Sequence, residues 1–142
     1  MRAVFICSDR TYTITMRNAS LRVLRVGLGI TFVWIGLLIL KQPEAFAGYL
    51  QPWAAGLLPI SIAQAMVGTA ILDIVIGILF FITRWSWLAA ILGTAHLAVV
   101  LVISGITDIT VRDIGLLAGT IAVAVDSISS SFFDRMKQVF KG

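Results

Sequence analysis

Charge is scarce in this chain. Only 13% of its 142 residues are Asp, Glu, Lys or Arg, against a hydrophobic share of 59% and a mean hydropathy of +1.01. A soluble domain carries about a quarter charged residues, which sets an ordinary water-soluble fold aside. A single cysteine, Cys7, rules out an internal disulfide and a CxxC redox pair, and Cys7 reads as an incidental thiol. One histidine, His96, beside that one cysteine cannot supply the usual zinc or haem ligand sets, so no metal site is expected. GxGxxG, Walker and HExxH motifs are missing. No polar stretch within these residues is long enough for a soluble domain. No catalytic residue is therefore assigned, and any chemistry falls to the apolar helices or to a partner. The net charge of +4 does not point to nucleic acid. The basic residues stand beside apolar runs, where they set topology and meet anionic lipid.

Long apolar runs are what the chain has in abundance. Four of them, about 21–40, 60–82, 86–106 and 113–133, are near the ~20 residues that a helix needs to cross a hydrocarbon core. The expected fold is an all-α integral membrane protein. It is a four-helix transmembrane bundle over 19–133, with a short interfacial segment between helices 1 and 2. Residues 1–18 read as a loose cytoplasmic extension and 134–142 as a basic cytoplasmic tail. Met16 opens "MRNASLRVLRVGLG", an ordinary membrane-protein start, and so stands beside Met1 as a candidate first residue. Ser20 is an expected N-cap for the first span. Ala45-Phe46-Ala47 resembles a signal-peptide cleavage site, but a retained first helix explains the even number of spans better.

The central feature is the hairpin from Ile60 to Thr107. Each arm carries one ionisable residue: Asp73, eleven residues before Arg84, and His96, twelve after it. At about 1.5 Å of rise per residue, an antiparallel hairpin sets the two at nearly the same depth. A charge at mid-bilayer costs about 2.5–3.5 kcal/mol on insertion scales, so such residues face a partner or a cavity. Asp73 and His96 are the candidate buried polar pair, either a structural hydrogen bond or a proton-handling or ligand site. Met66, Thr69, Ala70, Gly77 and Phe80 share the Asp73 face, and Ala89, Gly93, Val100 and Ile103 share that of His96. Gly77 and Gly93 permit close helix approach, as do Gly115 and Gly119 in the G-x-x-x-G of the last span.

Secondary polar candidates are Arg112, Asp113 and Asp126. Arg112 has Asp108 or Asp113 as a partner, Asp113 suits the positive end of a helix dipole, and Asp126 is either buried or at headgroup water. Between Lys41 and Pro59, three prolines alternate with Phe46, Tyr49, Leu50 and Trp53. The segment reads as an amphipathic stretch anchored at the interface by Tyr49 and Trp53, or as a lid over a pocket. Trp85 and Trp87 anchor the opposite turn. Nine of the eleven Lys and Arg residues lie on one side in this threading, with Lys41 and Arg112 on the other, so both termini are expected to be cytoplasmic.

"LRVLRVGLGITFVWIGLLIL" followed by Pro-Glu-Ala-Phe, then "ILDIVIGILFFI", then "VRDIGLLAGTIAVAVDS" resembles the DoxX-like superfamily, closest to its YkgB-like inner-membrane branch. The likeness covers roughly Leu21 to Ser127. The family's Trp-Ile-Gly-Leu-Leu falls on Trp34 to Leu38. Its lysine then meets Ile39, with Lys41 displaced by two. The acidic residue of its E-x-x-I-G motif falls on Asp73, a Glu-to-Asp change, with Gly77 as the glycine. Its last helix opens on Arg112-Asp113 and closes on Asp126-Ser127. The resemblance implies a four-helix bundle in a bacterial inner membrane. Some relatives are small subunits of thiosulfate:quinone oxidoreductases, and others associate with oxidative-stress or reactive-chlorine responses. It therefore implies a membrane subunit or accessory, rather than a stand-alone enzyme. It would have no intrinsic cofactor, with a bound quinone as ligand and a protein partner or second copy beside the lipid bilayer. The rival readings are a structural subunit docking a larger complex and a small proton- or cation-coupled transporter.

Overall fold

The chain folds entirely into helices and turns among the residues described. The computed structural model describes the backbone of residues 2–139 and the side chains of residues 19–128. The helices are α1 (Arg2–Lys41), α2 (Pro43–Ala47), α3 (Pro52–Ala55), α4 (Ile62–Phe81), α5 (Ser86–Ser104) and α6 (Val111–Val139), with a 3-10 turn at Thr83–Trp85 between α4 and α5. Among the described residues, three stretches are long and apolar enough to cross a membrane: Ala19–Lys41, Ile62–Phe81 and Thr83–Ser104. Helix α6 is not among them. Arg112 and Asp113 open it and Asp126 follows, so the uninterrupted apolar stretch between the two acids is short.

Two boundaries depart from the sequence expectation. The segment 2–18, expected to be loose, continues α1 as helix in its backbone. No proline or glycine occurs before Gly27, so nothing in the sequence stops propagation. Ser20 consequently sits inside a helix and is not its N-cap. The tail, too, carries the α6 backbone on to Val139. The other ends have clear local causes. Pro43 cannot donate a backbone hydrogen bond and disfavours helix at Gln42, where α1 has ended. Ser61 and Gln64 form a reciprocal capping box at the start of α4. Gly105, at φ +70°, ends α5 in a conformation that costs a side chain dearly.

Helix α1 packs chiefly on α4, and α5 on α6, with the α4–α5 hairpin joining the two pairs. The α1–α4 crossing is made by missing side chains. A Cβ on Gly77 would lie 2.6 Å from Val33 Cγ2 and 2.8 Å from the Gly29 carbonyl oxygen, and one on Gly36 would lie 2.7 Å from the Ala70 carbonyl oxygen. The backbones therefore touch. Leu28, Phe32, Ile76, Phe80, Leu97 and Val123 fill the centre of the bundle. Ile39, Met66 and Ala70 form a second cluster near the α1 C-terminus, onto which Phe46 and Leu50 fold. Only 28% of each long apolar window is buried within the chain. Val23, Trp34, Leu57, Val102 and Ile106 are among the large apolar side chains facing outward.

Of the four glycines expected to pack helices, Gly77 and Gly93 do so, the latter close to Thr120 and Phe32. Gly119 meets Leu24 and Leu28 of α1. Gly115 meets nothing within 4 Å, so only one glycine of the G-x-x-x-G packs inside the bundle. The spacing put both on one face, but α1 crosses that face near Gly119 alone.

Candidate functional site

Asp73 stands eight residues before the end of α4, and His96 stands eight residues before the end of α5. Both therefore lie about 12 Å inside their helices from those ends. His96 Nε2 and Asp73 Oδ1 are 3.0 Å apart, with both side chains nearly closed to the surroundings. That approach requires a proton between the two atoms. With neutral imidazole, Nε2 carries the proton and donates it to the carboxylate, which leaves Nδ1 a lone pair. Small neighbours make room for the pair: Ala70 and Gly77 precede and follow Asp73 on the buried face of α4, and Gly93 lies one turn before His96.

The pair lines a pocket of about 90 Å³. Its walls are apolar and come from every long helix, with Phe32, Ile35 and Ile39 from α1, Met66 from α4, Val100 and Ile103 from α5, and Leu116 from α6. The segment after α1 closes over it through Phe46, Tyr49 and Leu50. This strap is tied to α5 by the Gln51 amide, which donates to the Ile103 carbonyl at 3.0 Å, and by the Gln51 side chain lying on Gly105. Tyr49 and Trp53 are exposed, and Phe46 and Leu50 face the pocket.

Asp113 is the residue whose position the sequence did not disclose. It is buried, and it lines the same pocket as Asp73 and His96. Its carboxylate lies 3.7 Å from Arg112 Nε, and Arg112 is half-exposed at the rim, while Asp108 is exposed. The α5–α6 connection explains the convergence. Thr107 and Thr110 cap each other reciprocally, and Thr110 Oγ1 also donates to the Gly105 carbonyl at 2.6 Å. This knot folds the α6 N-terminus back beside the α5 C-terminus. A count from Arg84 could pair Asp73 with His96, but only the knot brings Asp113 to them. Thr69 and Ser104 also line the pocket, and neither hydroxyl makes a hydrogen bond among the described residues.

The remaining candidates lie elsewhere. Asp126 is half-buried, about 20 Å further along α6 than Asp113, and does not line the pocket. Trp85 and Trp87 are exposed at the end of the hairpin opposite Tyr49 and Trp53, with the roughly 30 Å of α4 between the two groups. Arg25 reaches across to donate to the Phe80 carbonyl at the end of α4 at 3.2 Å. Among the described residues, no three His, Cys, Asp or Glu side chains converge as a metal site.

No family model, curated protein or solved structure matches this chain. The site is therefore read from its own residues. A buried acid–imidazole pair can hold a proton and exchange hydrogen bonds with a neutral guest. The apolar walls admit a ring or chain. A cavity of roughly 150 Å³ holds a benzene ring, and this space is smaller than that.

Proposed function

We propose that this chain is a four-span membrane protein of the DoxX-like kind, set in a bacterial inner membrane with both termini cytoplasmic. In this reading it serves as a membrane subunit or accessory in quinone-linked redox or oxidative-stress physiology. Its own task is to hold a quinone headgroup in the Asp73–His96 pocket. The observation that carries the reading is the buried acid–imidazole pair in an apolar-walled pocket, inside helices whose outer faces are apolar. Soluble proteins rarely expose contiguous apolar surface beyond a few hundred Å², and lipid is the solvent that makes such faces stable. The fourth span is α6, whose buried Asp113 and Thr120 turn inward while Ile114, Ile121 and Val125 face out.

Within the pocket, His96 and Asp73 orient one polar edge of the guest and hold a proton near it. The apolar walls exclude water, and the strap closes the open side. A quinone, when bound, supplies two-electron chemistry that the side chains of this chain do not. Purification in mild detergent with native partners, followed by mass spectrometry of the small molecules that travel with the protein, tests the reading. A quinone present in the wild type and lost in Asp73→Asn or His96→Ala supports it. A stoichiometric protein partner with no quinone contradicts it.

That second outcome matches the rival reading of a purely structural subunit. One observation favours it: among the described residues nothing lies within 4 Å of a Cβ added at Gly115, and Ile114, Ala118, Ile121 and Ala122 are exposed near it on α6. Such a small-residue face suits a second helix.

A further inference from the structure

Several helical hydroxyls in this chain follow one habit, and Ser104 departs from it. Those of Thr31, Thr94 and Ser127 donate to the carbonyl four residues back, on Gly27, Ala90 and Val123. Ser104, the last residue of α5, is only 8% exposed, yet its hydroxyl makes no hydrogen bond among the described residues. It lines the pocket, as does the equally unpartnered hydroxyl of Thr69 on α4. A buried hydroxyl left unmet costs about 1–3 kcal/mol. The pocket, at about 90 Å³, is several times larger than one water requires. Ser104, Thr69, Asp73, His96 and Asp113 supply the polar partners that enclosed water needs. This match holds whichever of those groups carry protons, because water both donates and accepts.

The pocket reaches the surface at one end. Of the residues that line it, only Tyr49 and Arg112 are exposed, and both stand at the end of the bundle that carries the strap and the α5–α6 turn. Toward Arg84, the space beyond the pair is filled by Leu28, Ile76, Phe80 and Val123, all buried. Thr94 and Thr120 in that region satisfy each other at 3.0 Å. Asp73 is eight residues, or about 12 Å, from the end of α4 on that side. We infer that the pocket is a water-filled vestibule through which the Asp73–His96 pair exchanges protons with the strap end of the bundle alone. A proton taken up by the pair comes from that water and one released returns to it, and no electron moves. The other charged or titratable groups facing the water are Asp113 and Arg112 from α6 and Tyr49 from the strap, while α1 contributes none. In the proposed topology the open end is the outer face. The inference goes beyond the quinone reading and stands without a quinone in the pocket.

The test applies silver ion, a thiol-reactive cation small enough to follow water, to right-side-out and inside-out membrane vesicles holding the full chain with Cys7→Ser. Thiols left free are then labelled with a maleimide after denaturation. Ser104→Cys sets a thiol on the pocket wall, and Thr69→Cys repeats the measurement from α4. Thr94→Cys sets one beyond the pair. Glu44→Cys, with an impermeant maleimide, reports which vesicles expose the strap end, so the result does not depend on the proposed topology. The expected result is loss of labelling at Ser104→Cys and Thr69→Cys from the strap side only, and no loss at Thr94→Cys from either side. In bilayers, the nitrogen-15 signal of His96 should then receive magnetisation started on water. Pocket thiols spared from both sides overturn the vestibule. Loss from both sides, or at Thr94→Cys, overturns the single opening. Blocked pocket thiols beside a His96 that receives nothing from water mean that water stops short of the pair, which overturns the proton exchange.

Discussion

Adding one methyl group at Gly77 should damage the bundle, while the same change at Gly115 should not. At Gly77 the new carbon would stand 2.6 Å from Val33 Cγ2 and 2.8 Å from both the Gly29 carbonyl oxygen and the Val33 amide nitrogen. Ordinary carbon contacts are about 3.5–4.0 Å, so α1 and α4 must part by something near 1 Å. Two of the three obstacles are backbone and cannot rotate away. Overpacking of this kind costs about 1–3 kcal/mol. The gain in helix propensity from Gly to Ala returns at most about 1 kcal/mol. At Gly115 nothing lies within 4 Å, so only that gain applies. The two variants should differ by about 2 kcal/mol, or roughly 30-fold in the unfolding equilibrium. Equilibrium unfolding in mixed micelles against rising dodecyl sulfate, followed by circular dichroism, measures the difference. If Gly77→Ala proved as stable as Gly115→Ala, the backbone contact between α1 and α4 would be refuted.

Three further outcomes follow from the same geometry. His96→Leu strands the Asp73 carboxylate in the interior and should cost about 3–5 kcal/mol, whereas the double change Asp73→Leu with His96→Leu should recover most of it; strictly additive single effects would mean that the two residues are not coupled. Gly105→Ala forces a side chain into a glycine-only conformation at about 1–3 kcal/mol and drives Cβ to 2.5 Å from Gln51 Nε2. Faster hydrogen exchange at the Gln51 amide should report the loosened strap, and unchanged exchange would contradict the tie to Ile103. In a Cys7→Ser background, a cysteine at Glu44 should react with an impermeant maleimide on intact spheroplasts, and one at Arg84 only after lysis; the reverse pattern would invert the topology.

Parts of this architecture were legible in the residues, and physical reasons separate them from the rest. The depth match of Asp73 and His96 is a matter of counting from the turn at Arg84, because both arms are uninterrupted helix. The buried face of α4 followed from helical spacing around Asp73, although Ile76, which that reading left out, is fully buried there. Ile76 lies three residues from Asp73 and was hidden by the uniform apolarity of the run, which gives no amphipathic contrast. The α1 extension through 2–18 was not expected, although no proline or glycine stands before Gly27 to break a helix. Asp113 was named as a polar candidate, but its convergence on the pocket of Asp73 and His96 was not foreseen, because its place depends on the Thr107–Thr110 knot, whose hydroxyl pairing is tertiary detail. Gly119 and Gly115 looked equivalent, and only the path of α1 distinguishes them.

His96 is the only histidine in the chain, which gives the central claim a probe free of overlap. Nitrogen-15 labelling of histidine and solid-state magnetic resonance in lipid bilayers would report a single imidazole. A buried pair in a ligand pocket predicts a strongly hydrogen-bonded Nε2 signal that moves when decylubiquinol is added and that is altered in Asp73→Asn. An imidazole with the shifts of free aqueous histidine, indifferent both to Asp73→Asn and to the added quinol, would contradict the account.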